Sequence, residues 1–263
     1  MSFFTVTDLR AGYDKSIVLK NVSFVSEEGN LTGVLGANGC GKTTLLKAIC
    51  GIISHSGSCT LEGVQLEDLS PKKLARICSY IPQRSGIAID ISVLDVVLMG
   101  FNPQLKLLEH PTKEMKQKAL QAIALVGLKG KENCNYVTLS EGQKQLCILA
   151  RTLCSDTKLL LLDEPESALD FHHRYEMLSI LQNWARDTMG TALLTLHDPL
   201  LALNCCNKLV ILANGEVAGE VYPQNDPPKK TEALLSLIYG DVTLCRCADK
   251  NGREHIVMLK TEK

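Results

Sequence analysis

Apolar and polar positions alternate at the start of the chain, where "FFTVTDL", a turn at "AGYDKS" and "IVLKNVSFVS" predict two strands joined as a hairpin. "LTGVLG" (31–36) is a short apolar strand that runs into a glycine-rich loop. "KTTLLKAICG" behind it predicts a helix stopped by Gly51. "GSCTLEG" and "ICSYIPQ" read as strands flanking a short helix begun at "SPKKLAR". From about 86 to 157 the period becomes helical, in "SVLDVVLMG", "TKEMKQKALQAIALVGL" and the apolar run 146–153. Met115, Ala119, Ala122, Ile123 and Val126 fall on one stripe, with Lys113, Lys116 and Gln117 opposite. Strands resume in "KLLLLD", "TALLTLH", "KLVILANG" and "EVAGEV", with helices 170–188 and 198–206 between the first three. A polar, proline-rich link, "YPQNDPPKK", leads to a helix "EALLSLIYG" and a hairpin-like tail.

Strands alternating with helices demand a mostly parallel sheet covered on both faces, so the predicted class is α/β. The expected division is a core of 1–85 and 158–222 carrying an N-terminal antiparallel layer, a helical subdomain at 86–157, and a small appendage at 223–263. A net charge of −1 gives no global attraction for nucleic acid or anionic lipid, and no nucleic-acid partner is expected. "MSFFTVTDLR" lacks the basic start and apolar core of a secretory signal. Runs such as 159–162 and 93–99 are far shorter than the ~18 residues of a membrane helix. The 11 cysteines include no C-x-x-C pair, and Cys50, Cys147 and Cys154 lie among apolar neighbours. A reducing cytosol is the expected home, without a structural metal site.

"GANGCGKTT" (36–44) fits G-x-x-x-x-G-K-[ST] and stands between a strand and a helix, where a phosphate loop must stand. Gly36, Gly39 and Gly41 let backbone N–H groups curl around phosphate oxygens; Lys42 neutralises charge and the Thr43 hydroxyl suits Mg²⁺. The pattern predicts a nucleoside triphosphate site. "KLLLLDEP" (158–165) ends an apolar strand in two acids. Asp163 is expected near the Mg²⁺ on Thr43, and Glu164 beyond the γ-phosphate, where it polarises a water. His197 closes "ALLTLH" at the carboxyl edge of the sheet, where open α/β folds bind ligands. Gln83 leads from "YIP" into the helical segment, and Tyr13 is placed to stack on a base.

"LSEGQKQ" (139–145) raises a separate question. Ser140 followed by Gln143 reads as a capping box, and a helix start with Gly142 in its first turn suits an anion. There is no lysine in its loop, and Glu141 adds a negative charge.

Together these motifs make the chain resemble the ATP-binding subunit of an ABC transporter, a P-loop NTPase with a RecA-like core. "GANGCGKTT" matches Walker A, "IPQ" the Q-loop, "LSEGQ" the signature, "LLLLDEP" Walker B, "SALD" (167–170) the D-loop and "LHD" the switch histidine, with Tyr13 at the aromatic A-loop position. The resemblance implies ATP and Mg²⁺ as cofactors, bound by Tyr13, Gly36, Asn38, Gly39, Cys40, Gly41, Lys42, Thr43 and Thr44. Ser140, Gly142, Gln143 and Asp170 would meet the nucleotide of a second, head-to-tail subunit. It implies catalysis by Glu164, His197 and Gln83, and metal contacts from Thr43, Gln83 and Asp163. Partners would be a second copy, a separate permease and, indirectly, a substrate-binding protein, at the cytoplasmic face of a bacterial or archaeal membrane. "SVLDVVLMGFNPQL", "HDPLLAL" and the tail are similar to importers of iron–siderophore, haem and cobalamin chelates. A zinc or manganese importer, or a soluble ABC ATPase of iron–sulfur assembly, is the alternative. Three positions depart from the family: Glu141 replaces a usual glycine, Glu166 a common threonine, and Cys40 a serine or alanine. Cys40, near a helix start and Lys42, is expected to have a lowered thiol pKa.

Overall fold

The computed structural model describes residues 3–14, 16–83, 86–106 and 108–260. Lys15 of the predicted hairpin turn, and residues 84–85 at the predicted entry to the helical segment, lie outside them.

In chain order the elements begin with β1 (Phe4–Tyr13), β2 (Ser16–Ser26), β3 (Leu31–Leu35), α1 (Lys42–Ile49), β4 (His55–Leu61) and β5 (Val64–Gln65). A helical segment, α3 (Val93–Leu98), α4 (Lys113–Leu125) and α5 (Glu141–Leu153), follows α2 (Pro71–Ile77) and β6 (Cys78–Ile81). Then come β7 (Leu159–Asp163), α6 (Phe171–Thr188), β8 (Thr191–Thr195), α7 (Pro199–Cys205), β9 (Lys208–Ala213) and β10 (Glu216–Val221). Helix α8 (Pro228–Tyr239) and the hairpin β11 (Val242–Ala248) and β12 (Glu254–Lys260) complete the described chain.

Ten strands form one sheet in the order β5-β4-β1-β2-β10-β9-β3-β8-β7-β6. From β9 to β6 every pair is parallel. The antiparallel part, β5-β4-β1-β2, joins through a single parallel register pair, Glu216 with Asn21. Strands β3, β7 and β8 are buried at every residue, as central parallel strands must be when both faces are covered. Alternate residues serve opposite cores. Leu160, Leu162 and Leu194 pack with α3 to α7, while Leu159, Leu161 and Leu193 pack with α1 and the antiparallel strands.

Several boundaries differ from the sequence reading; β1 runs on through Ala11–Tyr13 of the predicted turn, and β2 already includes Ser16. Strand β6 stops at Ile81, because Pro82 has no N–H for the ladder, and Gln83 lies beyond it. Strand β8 stops at Thr195, so His197 sits in the following loop, its N–H donating to Glu166 Oε1 at 3.0 Å. Helix α8 starts at Pro228, inside the predicted link; proline suits a first turn, where its missing N–H would have no partner.

Candidate active site

The register places Val34, Thr195 and Asp163 side by side on β3, β8 and β7, so the chemistry collects at one carboxyl edge. The loop from Gly36 to Gly41 leaves β3 there. Gly41 takes φ 109°, and a Cβ on it would stand 2.7 Å from Leu19 Cδ2, so only glycine opens the start of α1. No side chain among the described residues caps α1, so its first N–H groups can meet an anion. Lys42 folds back over the loop, donating to the carbonyls of Gly36 (2.8 Å) and Ala37 (3.3 Å).

Asp163 is the hub. Its Oδ1 accepts from Thr43 Oγ1 at 3.1 Å and from Thr195 Oγ1 at 2.9 Å, and its Oδ2 accepts from Tyr80 at 3.3 Å. Burial, then the Asp163 carboxylate, pushes the Tyr80 phenol far up, so it stays a donor. Thr43 and Asp163 pair a hydroxyl with a carboxylate, an all-oxygen set that fits a hard divalent ion such as Mg²⁺.

Glu164 sits at φ 50°, the left-handed region, which costs a non-glycine residue about 1–3 kcal/mol. Its N–H is held by Thr195 Oγ1 at 2.9 Å. One carboxylate oxygen accepts from Gln83 Nε2 at 2.5 Å, and the other lies 2.6 Å from His197 Nε2. Glu166, two residues on, is buried; its Oε2 has no partner among the described residues, and burial raises its pKa.

The structure thus gathers Lys42, Thr43, Asp163, Glu164, Gln83 and His197. Thr44 is buried beneath them in α1. The remaining predicted residues line separate clefts. Tyr13 is 44% exposed in a cleft of about 730 Å³ with Arg10 and His55. Asn38, Gly39 and Cys40 border another of about 450 Å³, against Asn214, Gly215 and Ile238. Ser140, Gly142, Gln143 and Asp170 share a third of about 380 Å³ with Leu169 and His173. Glu141 turns away from its helix axis to meet Lys144 Nζ at 2.7 Å, with 76% of its side chain exposed.

One expectation is corrected. The Cys40 thiol pKa is raised: burial outweighs the pull of Lys42, and α1 begins only at Lys42, so Cys40 lies before its first turn. Sequence reasoning also missed Thr195 and Tyr80. The visible signal for Thr195 was a lone hydroxyl closing an apolar strand; Tyr80 looked like one more strand aromatic.

Residues 19–167 match the family model described as ABC transporter. The chain belongs to the ABC transporter family. It is an ATPase of that family, with the family's cassette fold. The hemin import ATP-binding protein HmuV of Rhizobium leguminosarum is 36% identical over 209 residues, 76% of this chain and 78% of that protein. The ferric enterobactin transport ATP-binding protein FepC of Escherichia coli K12 is 30% identical over 233 residues, 88% of this chain and 85% of its own. Among solved structures, an inward-facing ABC transporter assigned to the metal-chelate type superposes with TM-score 0.82 at 27% identity, covering 98% of each chain.

Proposed function

We propose that this ATPase drives import of a metal chelate of the haem or iron–siderophore class, as one of two copies docked on a separate permease at the cytoplasmic membrane face. The observation that carries the reading is the division of phosphate-binding features within one chain. Lys42 and Thr43 stand at the loop, while the Ser140–Gly142 helix start opens into a different cleft, walled by Ala168, Leu169 and Asp170. Lys144, the one lysine in the first turns of this helix, is paired with Glu141, so the helix start is half a site; a second copy, packed head to tail, supplies the other half across bound ATP. The likeness to hemin and ferric enterobactin ATPases supports the cargo class. A substrate-binding protein would act on the permease, not on this chain.

Thr43 and Asp163 would hold Mg²⁺ with the nucleotide, and the ion supplies charge neutralisation at the β- and γ-phosphates. Lys42 leaves its loop carbonyls to meet those phosphates. Glu164 orients and deprotonates the attacking water, His197 steadies the γ-phosphate, and Gln83 links the site to the helical segment. Tyr13 would stack on the adenine.

Glu164→Gln should leave ATP binding intact and lower turnover at least ~100-fold, the loss expected of a general base. With Mg-ATP the variant should elute as a dimer, and wild type extracted from membranes should carry a permease. Full turnover in the variant removes Glu164 from the mechanism; a chain that stays monomeric and permease-free sinks the importer reading.

A further inference from the structure

Strand β4 carries a cluster that is not among the residues proposed for ATP hydrolysis. His55 Nε2 lies 2.9 Å from Glu67 Oε1, and the same oxygen accepts the Cys59 N–H at 2.7 Å. Nitrogen, thiol sulfur and carboxylate oxygen all lie within 4.8 Å of one another. In a flat strand, residues four apart are separated by about 13 Å. Here the pairing with β1 slips between Thr7 and Arg10, and Gly57 opposite takes φ 89°. A Cβ on Gly57 would stand 2.5 Å from the carbonyl oxygen of Asp8, so glycine is required for the curl that turns both side chains to one point. Glu67 arrives from the 3-10 turn Leu66–Asp68.

We propose that His55, Cys59 and Glu67 form a binding site for a borderline divalent transition metal, Zn²⁺ in class. One imidazole, one thiolate and one carboxylate make a three-ligand set of the kind that leaves a fourth tetrahedral position open. His55 also lines the cleft shared with Tyr13, from which water can fill that position. The His55–Glu67 contact alone would be an ordinary ion pair, but it does not account for a fully buried thiol turned to the same carboxylate. On binding, the Cys59 S–H bond breaks, its proton passes to solvent, and the sulfur lone pair bonds to the metal. No residue spacing announces the site, since it is assembled by the bulge and not by a C-x-x-C pair.

The test uses the full chain, stripped with chelator and titrated with Co²⁺. One equivalent should bind, with a thiolate-to-cobalt charge-transfer band in the near ultraviolet that Zn²⁺ abolishes by displacement. Cys59→Ser should remove the band. His55→Gln and Glu67→Gln should each weaken binding at least ~10-fold, and the last two carry the test if the buried serine prevents folding. A Cys245→Ser/Cys247→Ser double variant, which removes two exposed thiols on β11, should bind as wild type. Absence of a band, or a band that survives unweakened in His55→Gln and Glu67→Gln, overturns the proposal. The readout needs no ATP, so it stands or falls separately from the importer reading.

Discussion

Thr195 holds two acids at once: its hydroxyl donates to Asp163 and accepts the N–H of Glu164. Thr195→Val keeps the β-branched shape and removes both bonds, so steady-state kinetics should show kcat down at least ~10-fold with KM little changed, while Thr195→Ser retains most activity. Phosphate-loop and acid residues were legible in the sequence because their spacing is local. Thr195 was not, since its role depends on a neighbouring strand's register. Glu166 tests pH dependence. Burial raises its pKa above the usual 4.5, so the folded chain keeps this proton where the unfolded chain has released it. Its contribution to stability is therefore present below the unfolded value and lost as pH rises through the folded one. Urea midpoints of Glu166→Gln relative to wild type should shift in the variant's favour as pH rises from that range. For Cys40 the raised pKa predicts slow alkylation: peptide mapping after brief maleimide treatment should find exposed Cys134, Cys245 and Cys247 modified first.

The signature helix α5 shows how an element absorbs an odd residue. Ser140 Oγ accepts the Gln143 N–H and Gln143 Oε1 accepts the Ser140 N–H, both at 3.3 Å, the capping box its sequence announced. Glu141 occupies the first turn, where a carboxylate favours a helix by roughly 0.3–1 kcal/mol. Repulsion of an incoming phosphate charge at about 10 Å is ~1.7 kcal/mol at an effective dielectric of 20. Lys144 and Lys42 offset part of it, so these opposed effects nearly cancel. ATPase assays of Glu141→Gly should differ from wild type by less than ~10-fold. Gly142→Asp should abolish turnover, because even a Cβ there stands 3.0 Å from the Ala168 carbonyl oxygen. Helix periods and caps were readable in the chain, as in α4, whose predicted stripe is the face it buries. The curl of β4 was not, since it follows from pairing with β1.

Across the whole molecule, ten strands form a single sheet in which β3, β8 and β7 bring the candidate site to one carboxyl edge, and no helix among the described residues is long and apolar enough to cross a membrane. Gln83 stands just past the end of β6, on the path to the helical segment, with its amide on Glu164. His197 takes the other oxygen from the loop after β8. Held on one oxygen by Gln83 and on the other by His197, the carboxylate keeps its remaining lone pairs for a water. The base is thus tethered to two separate elements, and a partner that moved either one would re-aim it.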